Sequence, residues 1–141
     1  MKVTSRVLIV LLCFFLLGCS LINQAANDTS NEGLTIETNN SDPLIVAQKL
    51  MVNYLDHLKS DDIEESQRIK AYLINDVKIY SQNTSGFVFT ANYSVQYVEE
   101  FAGSGNGTIA KDGWVLNKYQ FFNVGHNKET YTIKDIATSP Y

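Results

Sequence analysis

Phe87-Val88-Phe89-Thr90-Ala91-Asn92-Tyr93-Ser94-Val95-Gln96-Tyr97 alternates apolar and polar side chains over almost its whole length. Phe87, Phe89, Ala91, Tyr93, Val95 and Tyr97 share one parity, while Thr90, Asn92, Ser94 and Gln96 share the other. A period of two over eleven residues is the signature of a long β-strand with one face buried and one wet. Such a strand needs neighbours, so the sequence on either side is read for them.

Upstream, Asn83-Thr84-Ser85-Gly86 supplies a turn, and residues 70–80 form a second strand with Ala71, Leu73, Val77 and Ile79 on one face. Further back, Ser60-Asp61-Asp62-Ile63-Glu64-Glu65 places a cap residue before acids that favour a helix N-terminus, which predicts a short helix to about Ile69. Asp42-Pro43 opens a longer one. Its apolar residues Leu44, Ala47, Leu50, Met51, Tyr54, Leu55 and Leu58 recur at spacings of three and four and line one core-facing side.

Downstream, Gly103-Ser104-Gly105-Asn106-Gly107 breaks the alternation, residues 108–110 pair briefly, and Lys111-Asp112-Gly113 turns into Trp114. Over residues 114–124 the parity slips twice, from Trp114 and Leu116 to Tyr119 and Phe121 and back to Phe122 and Val124. That pattern implies a bulge or a strand covered on both faces. Gly125-His126-Asn127-Lys128 turns the chain into a last strand with Tyr131, Ile133 and Ala137 inward. The expected fold class is α+β, an N-terminal helix with a short second helix packed on a curved antiparallel sheet of about four strands.

The first 42 residues are of another kind. Lys2 and Arg6 precede the unbroken apolar run of residues 7–17, the length of a signal-peptide core and short of the ~20 residues a membrane span needs. The run ends at Leu16-Leu17-Gly18-Cys19, which resembles the bacterial lipobox, in which a small residue precedes a cysteine that is diacylated and becomes the mature N-terminus. Leu17 stands where Ala or Ser is more usual. The competing readings of the segment are an ordinary cleaved signal and an uncleaved anchor.

The lipobox resemblance implies a signal peptide over residues 1–18, lipidation of Cys19, a tether over 19–42 and a domain over 43–141. Residues 20–42, rich in Asn, Ser, Thr and acids, lack the apolar side chains to bury a face and should span roughly 25–30 Å r.m.s. as a flexible coil. Within them Leu34-Thr35-Ile36 has the makings of a short edge strand. The implied location is the cell membrane, lipid-anchored and facing the extracytoplasmic side.

Of the two cysteines, Cys13 lies in the apolar run, so cleavage would leave Cys19 alone and no internal disulfide. A diacylglyceryl group anchors a protein stably without an inserted helix. Taking Lys2 and Arg6 from the 11 basic residues leaves 9 against 15 acidic ones, a balance that argues against nucleic acid as a partner.

The order of helices and strands resembles the cystatin-like and NTF2-like rolls found in small bacterial lipoproteins. The C-terminal half, with Asp112-Gly113-Trp114, residues 118–122 and Tyr131-Thr132-Ile133, is similar to a domain of uncharacterised secreted proteins of Firmicutes type. Cystatin-like lipoproteins of mobile elements include conjugation exclusion factors, although no motif in this chain assigns it to them.

Little in the domain has the spacing of catalytic chemistry. His57 and His126 stand at a helix end and in a turn, without the partners of a metal site or acid–base pair. Asp61-Asp62, Glu64-Glu65 and Glu99-Glu100 read as solvated charge. The glycine run precedes a strand rather than a helix, so it is no phosphate cradle. No metal or cofactor is expected.

The aromatic set is more informative. Tyr93, Tyr97, Trp114, Tyr119 and Phe121 either fill the core or line a pocket between helix and sheet, with Asp135, on the parity of Ile133 and Ala137, as the candidate inward carboxylate. Two functions follow: a non-enzymatic envelope domain that binds a protein or small ligand, of accessory, immunity or exclusion type, or an NTF2-like enzyme using Asp135 and a tyrosine as its acid–base pair. The first requires an exposed apolar patch, the second an open pocket holding Asp135.

Overall fold

The sheet is built outward from the alternating strand. A computed structural model describes residues 34–99 and 106–140, all within one compact unit, Asn31–Tyr141. The signal segment, Cys19 and the first part of the tether lie outside the described residues.

Among the described residues seven elements follow in order: β1 (Thr35–Glu37), α1 (Pro43–His57), β2 (Ile69–Asn83), β3 (Gly86–Tyr97), β4 (Thr108–Ile109), β5 (Trp114–Asn127) and β6 (Thr130–Ala137), with a 3₁₀ turn at Lys111–Gly113 before β5. The six strands make one antiparallel sheet in the order β1-β6-β5-β3-β2, with β4 paired to β5. The fold of the described residues is α+β, one helix lying against a curled sheet. β1 and β4 raise the strand count above the four expected. β1 also shows that the packed domain begins before residue 43: Leu34 and Ile36 pack on the core and the Ile133 N–H donates to the Leu34 carbonyl at 2.8 Å.

Helix α1 starts where its sequence says. The Asp42 carboxylate accepts from the Leu44 N–H at 2.9 Å and Pro43 occupies the first turn. Its buried face is Val46, Ala47, Leu50, Met51 and Leu55, so Val46 replaces Leu44, which is 39% exposed. The expected second helix is absent. Its place is taken by successive turns, with Ile63 N–H bonded to the Ser60 carbonyl and Gln67 and Arg68 N–H to that of Glu64. The physical reason is composition: between Lys59 and Arg68 only Ile63 is apolar, and a short helix without a face to bury is marginal in water. Arg68 ties the turns together, 2.9 Å from Asp61 and 3.5 Å from Glu65.

Three strands depart from strict alternation. In β2 the register with β3 shifts between Ile69 and Ala71, Ile74 and Asp76, and Ile79 and Ser81. Asn75 therefore resets the parity. Tyr72 and Ile74 face the core before it and Val77 and Ile79 after it, while Leu73, expected inward, is 59% exposed. In β5 the slip read from the sequence is a bulge around Asn117, whose φ is +56°. Beyond it Val115, not Trp114 or Leu116, is buried. In β6 a shift beside Asn123 and Val124 carries Ile136, rather than Ala137, back to the core.

β3 is central and keeps its pattern. Phe87, Phe89, Ala91, Tyr93 and Val95 are buried under α1, and Phe89 stacks on Phe122 of β5 at 4.7 Å between ring centres. Tyr54 of α1 meets Phe122 edge-on at 5.7 Å. The second face of β3 is less wet than expected, since Thr90 and Ser94 are also buried.

Candidate functional site

The pairing register sorts the aromatic residues onto two faces. Residues directly opposite one another in an antiparallel pair point to the same side. Tyr93 lies opposite Lys118, and Ala91 opposite Gln120, on the face under α1. Asn92 lies opposite Tyr119, Thr90 opposite Phe121 and Gln96 opposite Trp114, on the outer face. The structure therefore brings Tyr93 and Tyr97 together on the inside, and Trp114, Tyr119 and Phe121 on the outside. The β5 bulge is the reason that Trp114 and Tyr119, of opposite parity in the sequence, share the outer face.

Inside, the Tyr93 hydroxyl is hydrogen-bonded to the Gln120 side-chain oxygen. Burial, and then the neighbouring Tyr97, push the Tyr54 phenol up to about 12. Burial also raises Tyr93 and Tyr97, with Tyr54 a further contributor at Tyr93. These phenols hold their protons at neutral pH, and that of Tyr93 donates to Gln120. Lys118, 8% exposed, is drawn in among them, and desolvation lowers its pKa.

Asp135 stands elsewhere. The β6 bulge places it opposite Asn123 on the outer face, exposed, with its carboxylate accepting from the Ile136 N–H at 2.8 Å. The expectation of an inward carboxylate is corrected by that single extra residue. His57 ends α1, and His126 is exposed and stacked on Tyr131 at 5.5 Å. Among the described residues no group of three potential metal ligands gathers, and no helix is long and apolar enough to cross a membrane.

The outer face carries a feature that the parity count missed. Tyr80, at the third β2 bulge, meets Phe121 edge-on at 5.2 Å, and Phe121 meets Tyr119 edge-on at 5.5 Å. Tyr80 is 56% exposed and Tyr119 41%. Beside Tyr119 sits an amide ladder: Asn75 donates to the Asn92 oxygen at 2.7 Å and to that of Asn117 at 3.5 Å. Asn117 N–H donates in turn to the Ser94 hydroxyl at 3.1 Å. The Asn106 side chain bonds both the N–H and the carbonyl of Tyr119, fixing that residue's backbone. The ladder exists because two bulges, at Asn75 and Asn117, flank β3 at the same height. Nothing in the sequence alone aligns them.

The surface also has hollows, two of which border residues already described. One of about 220 Å³ lies under the 3₁₀ turn, lined by Ile109, Asp112 and Trp114. The other, a shallow groove of about 510 Å³, follows α1 past Ile36, Ile45, Lys49 and Val52. No protein-family model, curated protein or solved structure matches the chain.

Proposed function

We propose that the chain is an extracytoplasmic lipoprotein, anchored to the cell membrane through lipid on Cys19, whose domain is a non-enzymatic roll of cystatin-like or NTF2-like kind that binds a partner in the envelope. The observation that carries the binding reading is the outer-face row Tyr80–Phe121–Tyr119, rings held at fixed angles with two of the three well exposed. Isolated apolar residues on a surface are ordinary, whereas exposed aromatic rings held together, here Tyr80 and Tyr119 on either side of the buried Phe121, are a common feature of interaction surfaces. The acid–base alternative draws no comparable support, because Asp135 is exposed on the face away from Tyr93.

The anchoring is supported by the position of Leu16-Leu17-Gly18-Cys19 after an apolar run of signal-peptide length. Metabolic labelling with a fatty acid tests it: the wild-type chain takes up label and sediments with membranes. Uptake of label by a Cys19→Ser variant would sink the assignment.

A further inference from the structure

The outer face combines three properties that select a chemical class of partner. First, Tyr119 offers a ring whose position is fixed on two sides, by Asn106 on its backbone and by a perpendicular contact with Phe121. Second, amides lie directly beside that ring. Asn92 is its cross-strand partner, and Asn75 and Asn117 flank Asn92. Directly opposite residues hold their Cβ atoms roughly 4.5–5.5 Å apart, so a group stacked on Tyr119 reaches the Asn92 side chain. Among the described residues the NH₂ groups of Asn92 and Asn117 and the side-chain oxygen of Asn75 have no hydrogen-bond partner, which leaves both donors and an acceptor facing outward.

Third, the charges in the same register cancel. Asp76, opposite Asn92, pairs with Lys78, opposite Thr90, at 2.6 Å. The recognition surface is thus amide and aromatic rather than ionic, in a chain of net charge -4 that disfavours anionic polymers.

We infer that this face binds an uncharged glycan chain, one sugar ring stacking on Tyr119 with its hydroxyls on the Asn75–Asn92–Asn117 amides. A sugar ring shows C–H groups on its flat side and hydroxyls on its rim. The first suit an aromatic face, and the second, being donors and acceptors at once, suit amides better than carboxylates or ammonium groups. Tyr80, farther along the row, extends the platform to a second sugar. The inference rests on the domain being a binding module and names its ligand class.

The test is titration of the purified full-length chain, in a detergent without a sugar headgroup, with chitohexaose and with cellohexaose, followed by calorimetry. Saturable binding of at least one is expected, unchanged in about 0.5 M NaCl, where exposed charge interactions are screened. Tyr119→Ala and Asn92→Ala each weaken it about tenfold or more, near 1.4 kcal/mol, while Val52→Ala on α1 leaves it intact. Matching melting temperatures show that the variants fold. The inference is overturned if neither oligosaccharide binds, if salt abolishes binding, or if folded Tyr119→Ala binds as well as wild type. An in-cell protein crosslink lost in Tyr119→Ala, with no oligosaccharide binding, would overturn the glycan assignment and leave the binding-module reading standing.

Discussion

Gly86 and Gly125 face each other across one rung of the β3–β5 ladder, yet they tolerate side chains differently. A Cβ on Gly86 would lie 1.9 Å from the Val124 carbonyl oxygen, which is backbone and cannot turn aside. A Cβ on Gly125 would meet only the Lys134 side chain, at 3.1 Å, and that flexible stem can move. Gly86→Ala is therefore expected to cost about 2–4 kcal/mol, and Gly125→Ala much less, read as shifts in the urea midpoint at constant slope. Asp135 teaches the complementary lesson. Its identity as a carboxylate was visible, but its orientation depends on one bulge residue.

At the scale of elements, α1 was legible because its signals agree: a capping carboxylate, a proline in the first turn and apolar spacing of three and four. Asp42→Ala removes the cap and should cost about 1 kcal/mol, seen as a lower melting temperature with α1 retained in circular dichroism. β3 was legible because it is central and uninterrupted. The second helix was misread because cap residues and acids describe a helix start, while only tertiary burial sustains a short helix, and residues 59–68 have almost nothing to bury. β2 and β5 are legible as strands, with a bulge one of two readings of the β5 slip, but the face expected for β2 holds only for Val77 and Ile79 and fails for Leu73. A bulge flips every later side chain, and its position depends on pairing with another strand. The same cause hid the outer-face site, whose aromatic and amide residues belong to β2, β3 and β5 and meet only through the register.

For the whole molecule, the buried phenols predict behaviour in alkali. Tyr54, Tyr93 and Tyr97 all have folded pKa values above the ordinary 10, with Tyr54 near 12. A group whose pKa is raised on folding contributes its full stability below the unfolded value and loses it as the pH climbs through the folded one. Stability should hold to about pH 10 and then fall toward pH 12. Tyr54→Phe should flatten that fall by up to about 1.4 kcal/mol per pH unit, measured from urea midpoints between pH 9 and 12. An identical slope in both proteins would contradict the burial of this hydroxyl.

The bulges of β2 have a further consequence, for how copies of the molecule behave side by side. β2 is the last strand of the sheet, and its outer edge has no partner strand among the described residues. Its three register shifts cut that edge into short runs, the longest being 71–74 and 76–79. An incoming strand would find no more than four regular rungs before the spacing failed, and Lys78 projects within the second run. Interrupted and charged edges resist the end-to-end zipping that turns crowded β-proteins into fibrils. The irregularities that make β2 hard to read thus also make its 15-residue open margin a poor template for an incoming strand.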